Sequence, residues 1–330
     1  MKRILLAALI LLCLNASAQI IRKRTTLLMG GRFDITISAG DALSAENNID
    51  TVIAEISRIE NLISDWKSTS QVSAVNRNAG IAPVKVDAEL FALTERAIAL
   101  SKVTKGAFDI SFAAMDRIWK FDGSMTKMPD PEAIKRSVEK VGYRNIILNK
   151  QNSTIFLRLK GMKIGFGALG EGYAADRCRK MMLARGIKAG IVNASGDMST
   201  WGKQPNGDDW SIGITNPMKE DTLLAVIPLK KNAVVTSGSY RKFVVFNGKR
   251  YAHIINPATG YPATGLISVT VFGPSAEMAN GLSTSTMVLG KIAGSQLIKK
   301  YQQYSYIIIT DKGEILTSKD IKLPGHAIGR

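Results

Sequence analysis

The 330-residue sequence predicts an α+β fold in which mixed β-sheets pack against helices. Two observations carry this prediction. Apolar residues recur at three- and four-residue steps in several long segments, which is typical of amphipathic helices, while shorter alternating or apolar runs are typical of strands. The two kinds of segment do not alternate in the regular order of a doubly wound parallel sheet, so mixed sheets are expected.

The first half of the chain shows both patterns. Phe33, Ile35 and Ile37 alternate with other residues and predict a strand, whereas the isoleucines from Ile49 to Ile63 have helical spacing. Asp130, followed by a proline and a glutamate, has the signals of a helix N-terminus. The predicted elements are a strand at 27–38, helices at 49–63 and 90–100, a short helix after Asp130, and a hairpin formed by 146–148 and 154–159.

The second half continues the mixture. A helix is predicted at 172–185 after a glycine-rich segment, and an apolar run at 187–193 is predicted to return as a strand. Near the C-terminus two helical patterns, at 279–289 and 292–301, follow one another closely. The remaining predicted elements are strands at 210–215, 223–228, 243–246, 268–272 and 306–310.

The N-terminus is predicted to be a cleavable export signal spanning residues 1–18. Lys2 and Arg3 precede an apolar run at 4–14, and Ala16-Ser17-Ala18 has the small-x-small form of a cleavage site. Leu12 is too bulky for the usual lipidation site before Cys13, so a lipoprotein is not favoured. A buried N-terminal helix is the alternative. The prediction is a periplasmic protein whose mature domain is residues 19–330.

Charge and cysteine content narrow the classes of function. The formal net charge of +17 favours anionic partners, but the basic residues are scattered and not interleaved with aromatics, so no nucleic-acid partner is expected. Phosphate-bearing ligands remain as candidate anionic partners. Cleavage of the signal would leave Cys178 as the only cysteine, so no internal disulfide is expected. Cys178 lies in a predicted helix and is interpreted as a small core residue rather than a nucleophile.

Four short segments differ from ordinary core sequence. Residues 165–172 place glycines before a helix, where backbone amides and the helix N-terminus favour an anion, although a structural turn explains them as well. Residues 193–197 follow a strand end, which suits either a ligand or a simple turn. Residues 236–240 and 251–260 bring Thr, Ser, Tyr and Asn near His253, one of two histidines in the chain. A lone histidine is more often structural than catalytic.

The fourth segment, residues 279–284, opens a predicted helix. Asn280 and Thr284 are four residues apart and therefore lie on one helical face. Their oxygens are hard ligands that would suit Mg²⁺ together with carbonyl and phosphate oxygens. The alternative is that Asn280 caps the N-terminus of the helix.

Taken together and in this order, the segments resemble the ApbE family of FAD:protein FMN transferases, over residues 29–290. Each block alone is weakly specific, whereas six or more in register are highly specific. The matching blocks are Met29-Gly30, Ser64-Asp65-Trp66 with 70–76, Gly106-Ala107-Phe108-Asp109, 170–176, Thr236-Ser237-Gly238, 253–260 and Leu282-Ser283-Thr284.

The resemblance implies a T-fold-related architecture and a Mg²⁺-dependent activity. The FMN moiety of FAD would be transferred to a threonine hydroxyl of a partner protein, with release of AMP. The implied acceptors are exported or membrane flavoproteins carrying a target threonine, and peripheral membrane association is compatible with such partners. Two alternatives stay open: an FAD pyrophosphatase that forms FMN and AMP, and a non-catalytic periplasmic FAD-binding protein.

Carried over position by position, the resemblance also implies the site residues. His253 and Asn280 are the expected catalytic positions, with His253 placing the flavin or its phosphates. The expected metal ligands are the Ala168 carbonyl, Asn280 and Thr284, with Ser283 adjacent. The expected FAD contacts are Met29, Trp66, Ala107, Phe108, Asp109, Glu171 and Ile255.

The sequence departs from the family pattern at four positions. Many members have an aspartate where this chain has Asn280, and an amide keeps one oxygen but removes the charge that attracts Mg²⁺. Asn256 also stands where aspartate is common, Gly165 replaces a frequent aspartate or asparagine, and Ser195 replaces a usual glycine. These four residues are either typical of a subgroup of the family or indicate weak metal binding.

Overall fold

The computed structural model describes residues 19–219 and 221–323. The predicted export signal, residues 1–18, lies outside the described residues, and so does the histidine at position 326. Within the described part of the chain, helices and antiparallel sheets form the α+β architecture that the sequence predicts.

Eight strands form one large sheet, and every neighbouring pair in it is antiparallel. In chain order the strands are β1 (Ile20–Leu28), β2 (Gly31–Ala39), β3 (Val84–Lys85), β4 (Ile146–Asn149), β5 (Thr154–Leu157), β6 (Ala189–Ala194), β7 (Asp197–Trp201), β8 (Ser211–Thr215), β9 (Leu223–Pro228), β10 (Ala233–Gly238), β11 (Phe243–Phe246), β12 (Lys249–Ala252), β13 (Leu266–Gly273), β14 (Ser305–Thr310) and β15 (Ile315–Thr317).

The order of strands in the large sheet is β1-β2-β6-β7-β10-β13-β14-β15. Three small sheets surround it: β3-β5-β4, the hairpin β8-β9 and the hairpin β11-β12. Because neighbouring strands of the sheet such as β2 and β6 are separated by 149 residues in the chain, the topology brings distant segments together in the sheet.

Three long helices cover one face of this sheet. The first packs on β1 and β2, the second on β6 and β7, and the third on β10, β13 and β14, with the second helix touching both others. In chain order the helices are α1 (Ala42–Ile63), α2 (Gln71–Arg77), α3 (Ala88–Val103), α4 (Pro131–Ser137), α5 (Gly170–Ala184) and α6 (Ala276–Lys299), and the three long ones on the sheet are α1, α5 and α6.

The β8-β9 hairpin covers the opposite face near the centre of the sheet. Strand β13 is therefore buried on both faces: Val269 and Val271 pack toward α6, while Ile267 and Phe272 pack against Ile214 and its neighbours. Full burial of each such side chain stabilises the fold by about 1.5–3 kcal/mol. This two-sided packing explains why every residue of β13 is buried, Ser268 and Thr270 included.

The predicted strand at 27–38 is confirmed from Gly31 onward as β2, but its start is wrong, because Leu27 and Leu28 belong to β1 of the hairpin β1-β2. Leu28 pairs with Gly31, and the two residues between them form a tight turn with positive φ, +53° at Met29 and +79° at Gly30. Two-residue hairpin turns require such angles, which glycine adopts readily and methionine rarely does. The turn was not predicted because methionine is an unusual residue at a position with positive φ.

Other predictions are confirmed with adjusted ends. Gly290, with φ +80°, interrupts α6 and separates the two predicted C-terminal helices. Cys178 is a free cysteine, fully buried in α5, and burial raises the pKa of its thiol, as expected for a core residue. Among the described residues no helix has the length and apolar character needed to cross a membrane.

Candidate functional site

A cavity of about 840 Å³ opens where α5 and α6 begin, beside the ends of β6, β7 and β10. Its walls also include β8 and the segments 107–113 and 253–257. The predicted site residues that line this cavity are Ala107, Phe108, Asp109, Ala168, Glu171, His253, Ile255, Asn280 and Thr284. The tertiary structure therefore brings most of the dispersed sequence blocks to one place.

The N-terminal ends of α5 and α6 touch each other at Gly172. A Cβ atom at this position would stand 2.7 Å from the carbonyl oxygen of Ala276, which is backbone and cannot move aside easily. Glycine is therefore required for the two helix starts to meet at this distance. The positive ends of both helix dipoles therefore lie close together beside the cavity.

Asp176, one turn further along α5, fixes this junction. Its carboxylate accepts hydrogen bonds from Ser199 Oγ (2.9 Å), Ser275 Oγ (2.7 Å) and the Glu277 backbone N–H (3.1 Å). Arg179 lies 3.6 Å from the same carboxylate and donates to the Pro274 carbonyl. One buried carboxylate thus ties α5 to β7 and to the first turn of α6.

Asn280 points into the cavity from the second turn of α6. Helix α6 begins at Ala276, and Ser275 is its N-cap, so the capping role considered for Asn280 is wrong. The Asn280 amide donates from Nδ2 to Asp197 Oδ2 at 2.6 Å, and its Oδ1 accepts from Thr284 Oγ1 at 3.2 Å. These bonds hold the amide oxygen beside the threonine hydroxyl.

Asp197 is a site residue that the predicted set of site residues does not include. It is the first residue of β7, directly after the turn formed by Ser195 (φ +53°) and Gly196 (φ +109°). Burial, together with the nearby charges of Glu171 and Asp176, raises the pKa of its carboxyl to about 8. The sequence signal that could have identified Asp197 is its place as a charged residue at the end of the segment 193–197, for which a ligand was considered.

Glu171 lies in the first turn of α5 and faces the same cavity. Burial raises the pKa of its carboxyl to about 7, against the opposing effects of a hydrogen bond with Ser195 and the positive charge of Lys242. A Cβ atom on Gly31 would approach Glu171 Oε1 to 2.6 Å. A side chain at position 31 would therefore make this carboxyl group shift, together with the Ser195 hydroxyl, which the added atom would approach to 2.2 Å.

His253 and Ile255 form part of the wall at the mouth of the cavity. The Nδ1 atom of His253 lies 3.4 Å from the Lys242 carbonyl oxygen, and its ring meets Phe121 edge-on. Burial lowers the pKa of His253, and the positive charge of Lys242 acts in the same direction, which favours the neutral imidazole. A neutral imidazole is able to accept a proton or to donate one hydrogen bond.

Asp109 shapes the cavity wall through the backbone. Its Oδ1 accepts from the backbone N–H (2.8 Å) and hydroxyl (2.6 Å) of Ser111, and its Oδ2 accepts from the Tyr143 N–H (2.7 Å). These bonds fix the loop that carries Ala107 and Phe108, both largely buried. Contact of the three residues with FAD stays a prediction.

Met29 and Trp66 lie in a smaller pocket of about 120 Å³ next to the main cavity. The two spaces share Asp65, Gly167 and Glu171 in their walls. Trp66 is 59 % exposed, so its ring is available to a ligand that extends from the cavity. The predicted FAD contacts thus fall into two adjoining spaces.

The oxygen donors in the cavity fit a small hard cation. Asn280 Oδ1 and Thr284 Oγ1 are 3.2 Å apart, close to the roughly 3.0 Å that separates adjacent oxygens around octahedral Mg²⁺. Ala168 lines the same cavity. Ser283 is fully buried behind the wall, with its Oγ 2.7 Å from Ser237 Oγ and 3.0 Å from the Asn280 carbonyl, so its role in metal binding stays a prediction.

Most of these donors are neutral. In the part of the chain that the structure describes, no three His, Cys, Asp or Glu side chains cluster as a metal site. A cation bound here would therefore depend on amide, hydroxyl and carbonyl oxygens, on few carboxylates, and on phosphate oxygens of its ligand.

Comparison with known proteins gives this site a family. The model of the ApbE family matches residues 29–308, most of the chain and all of the site. The chain belongs to the ApbE family. A relative from Treponema pallidum named FAD:protein FMN transferase is 30 % identical to this ApbE-family chain over 83 % of the chain and 80 % of its own length.

Two further comparisons agree. A Klebsiella pneumoniae protein with the same name is 29 % identical over 86 % of this ApbE-family chain and 83 % of its own length. The crystal structure of the ApbE protein of Thermotoga maritima superimposes with a TM-score of 0.82 at 28 % identity, covering 91 % of this chain and 97 % of the other. Sequence and fold therefore assign the chain to the same family.

Proposed function

We propose that this chain transfers the FMN moiety of FAD to a threonine hydroxyl of a partner protein, in a Mg²⁺-dependent reaction that releases AMP. The observation that carries the proposal is the 3.2 Å pair of Asn280 Oδ1 and Thr284 Oγ1 in a cavity of about 840 Å³, a volume in the range of ligand and cofactor sites. Relatives named FAD:protein FMN transferase, which match over most of the chain, support the same reaction.

The diphosphate of FAD is proposed to lie at the start of α5. Gly167, Ala168 and Glu171 line the cavity there, and the positive potential of a helix N-terminus attracts phosphate. Asn280, Thr284 and the Ala168 carbonyl would hold Mg²⁺, which supplies a clamp on phosphate oxygens and neutralises developing charge. Ala107, Phe108 and Ile255 supply apolar surface for the remainder of the ligand, and Trp66 supplies a ring in the adjoining pocket.

The chemistry is an in-line displacement at the FMN-side phosphorus. The threonine oxygen forms a new bond to that phosphorus, the bridging P–O bond of the diphosphate breaks, and AMP leaves with the bridging oxygen. The threonine proton passes to a base, and His253 at the cavity mouth, where a lowered pKa favours the neutral imidazole, has the protonation state for this role. The product is FMN joined to the protein through a phosphoester.

The proposed site of action is the periplasm. The export signal predicted at residues 1–18 would deliver the mature chain there, and the acceptors would be exported or membrane flavoproteins that expose a threonine on that side. Covalent attachment suits this location because a bound FMN cannot diffuse away from its protein.

A flavinylation assay tests the proposal. The mature chain, beginning at Gln19, is incubated with FAD, Mg²⁺ and a flavin-acceptor domain, and the mixture is separated by SDS gel electrophoresis. The expected result is ultraviolet fluorescence that stays with the acceptor, is lost when its target threonine is changed to alanine, and is lost in excess EDTA. Absence of covalent fluorescence across a wide range of Mg²⁺ concentrations would overturn the proposal.

Chromatography of the small molecules separates the two rivals. FMN and AMP formed equally with or without acceptor would show an FAD pyrophosphatase, in which water takes the place of the threonine. FAD that binds but stays intact would show a flavin-binding protein without catalysis. Only AMP formation that depends on the acceptor, without free FMN, agrees with transfer.

A further inference from the structure

The donors expected to hold Mg²⁺ in this chain lack a carboxylate of their own. Asn280, Thr284 and the Ala168 carbonyl are all neutral, whereas protein sites for Mg²⁺ usually include one or two carboxylates. The carboxylate in direct contact with this set belongs to Asp197, whose Oδ2 lies 2.6 Å from Asn280 Nδ2. Asp197 is 6 % exposed and lines the cavity with Asn280 and Thr284.

The surroundings of Asp197 leave its charge uncompensated by basic groups. Among the described residues no lysine, arginine or histidine forms an ion pair with it, although the backbone N–H of Gly172 at the start of α5 donates to it. Glu171, the other carboxyl group in the cavity, differs because Ser195 and the nearby Lys242 already interact with it. An ionised carboxylate buried without a basic partner is costly, and a bound metal ion is one way in which proteins compensate such a charge.

The hydrogen bond also fixes the direction of the amide. Since Nδ2 of Asn280 donates to Asp197, Oδ1 must point the other way, and it lies beside Thr284 Oγ1. A carboxylate at position 280 would instead place two negative groups in contact. The pair thus has room for one charge, and the group that can carry it when a cation is bound is the Asp197 carboxyl on β7.

We propose that Asp197 is the charge-supplying and positioning residue of the metal site, holding the Asn280 oxygen toward the cation and providing the negative charge that Asn280 lacks. This inference rests on the magnesium part of the proposed function. Under this inference Asn280 supplies the oxygen ligand and Asp197 supplies the charge, so the amide at position 280 does not by itself weaken the site.

Binding of Mn²⁺ as a probe tests the inference without any need for turnover. The electron paramagnetic resonance signal of free Mn²⁺ is titrated with the mature chain, first with the metal alone and then with FAD present. The variants are Asp197→Asn, Asn280→Asp and the double swap, and Asp65→Asn removes a carboxyl group from the same cavity as a matched control. Melting temperatures are recorded for each variant.

The expected result is a loss of Mn²⁺ affinity of about tenfold or more in Asp197→Asn, with recovery to within about threefold of the wild type in the double swap and no loss in Asp65→Asn. A lower melting temperature of Asp197→Asn would leave open whether the loss of affinity comes from lost folding or from the lost carboxylate. The double swap separates these two causes, because it restores one carboxylate–amide pair. Wild-type affinity in Asp197→Asn, or a folded double swap as weak as Asp197→Asn, would overturn the inference alone. A wild-type chain that binds no Mn²⁺ even with FAD would overturn the magnesium part of the proposed function as well.

Discussion

The carboxylate of Asp176 in α5 accepts a 2.7 Å hydrogen bond from Ser275, the N-cap residue of α6. Ser275 in turn accepts from the backbone N–H of Met278. Because Asn280 and Thr284 project from the next turns of the same helix, this contact sets the position of the proposed metal donors without lying among them.

Replacement of Asp176 by alanine is expected to destabilise the protein. The buried Ser199 Oγ and the half-buried Ser275 Oγ and Glu277 N–H would lose their acceptor, and Arg179 would lose its nearest carboxylate. Each unsatisfied buried group costs about 1–3 kcal/mol, so a loss of roughly 3 kcal/mol or more is expected in urea denaturation. Asp176→Asn, which keeps an acceptor oxygen, should lose clearly less, and equal losses in the two variants would contradict the assigned role.

Gly172 and Gly167 form a matched pair for testing the meeting of the helix starts. A methyl group at Gly172 would approach the Ala276 carbonyl oxygen to 2.7 Å, whereas one at Gly167 would have no neighbour within 4 Å. Gly172→Ala is expected to cost about 1–3 kcal/mol of unfolding free energy through forced separation of α5 and α6. Gly167→Ala should change it little, and similar effects of the two substitutions on the urea midpoint would argue against the close contact.

The ligand-free protein is expected to lose stability as the pH rises from 5 to 8. Burial raises the pKa of Asp197 to about 8 and that of Glu171 to about 7, while unfolded carboxyl groups titrate near pH 4. The folded state therefore binds more protons in this interval, and its advantage, complete below pH 4, disappears as the pH passes the folded pKa values. Melting temperatures measured in EDTA check this.

A variant identifies the source of that pH dependence. Asp197→Asn cannot ionise, so its melting temperature should fall less between pH 5 and pH 8 than that of the wild type. The same decline in both proteins would show that other groups cause it.

Thr284 is expected to contribute its hydroxyl to metal binding. Thr284→Val keeps the shape of the side chain but removes the Oγ1 that lies 3.2 Å from Asn280 Oδ1, and the Mg²⁺ concentration for half-maximal transfer should rise by about tenfold or more, equivalent to roughly 1.4 kcal/mol. Thr284→Ser retains the hydroxyl and should stay near the wild type. An unchanged Mg²⁺ dependence in Thr284→Val would remove this residue from the donor set.

The sequence predicted elements well where local periodicity decides them. Helix α1 and the interrupted α6 were expected, since their apolar residues follow the helical repeat. Strands β7 and β10 were not expected, although both lie in the middle of the large sheet. Strand β7 carries Asp197, Ser199 and Thr200, buried polar residues that belong to the site and its supports, so it lacks the apolar pattern of a central strand.

For the site, the sequence by itself determined which blocks matter, because they resemble those of a family whose order is specific. It also determined that Asn280 and Thr284 share a helical face, since that follows from four-residue spacing. Only the tertiary structure decided that Asp197, 83 residues before Asn280, is its hydrogen-bond partner, that Ser283 lies behind the cavity wall, and that the starts of α5 and α6 meet at Gly172. The physical reason is that these relationships depend on how α5, α6 and β7 pack together, and long-range packing leaves no periodic trace in the local sequence.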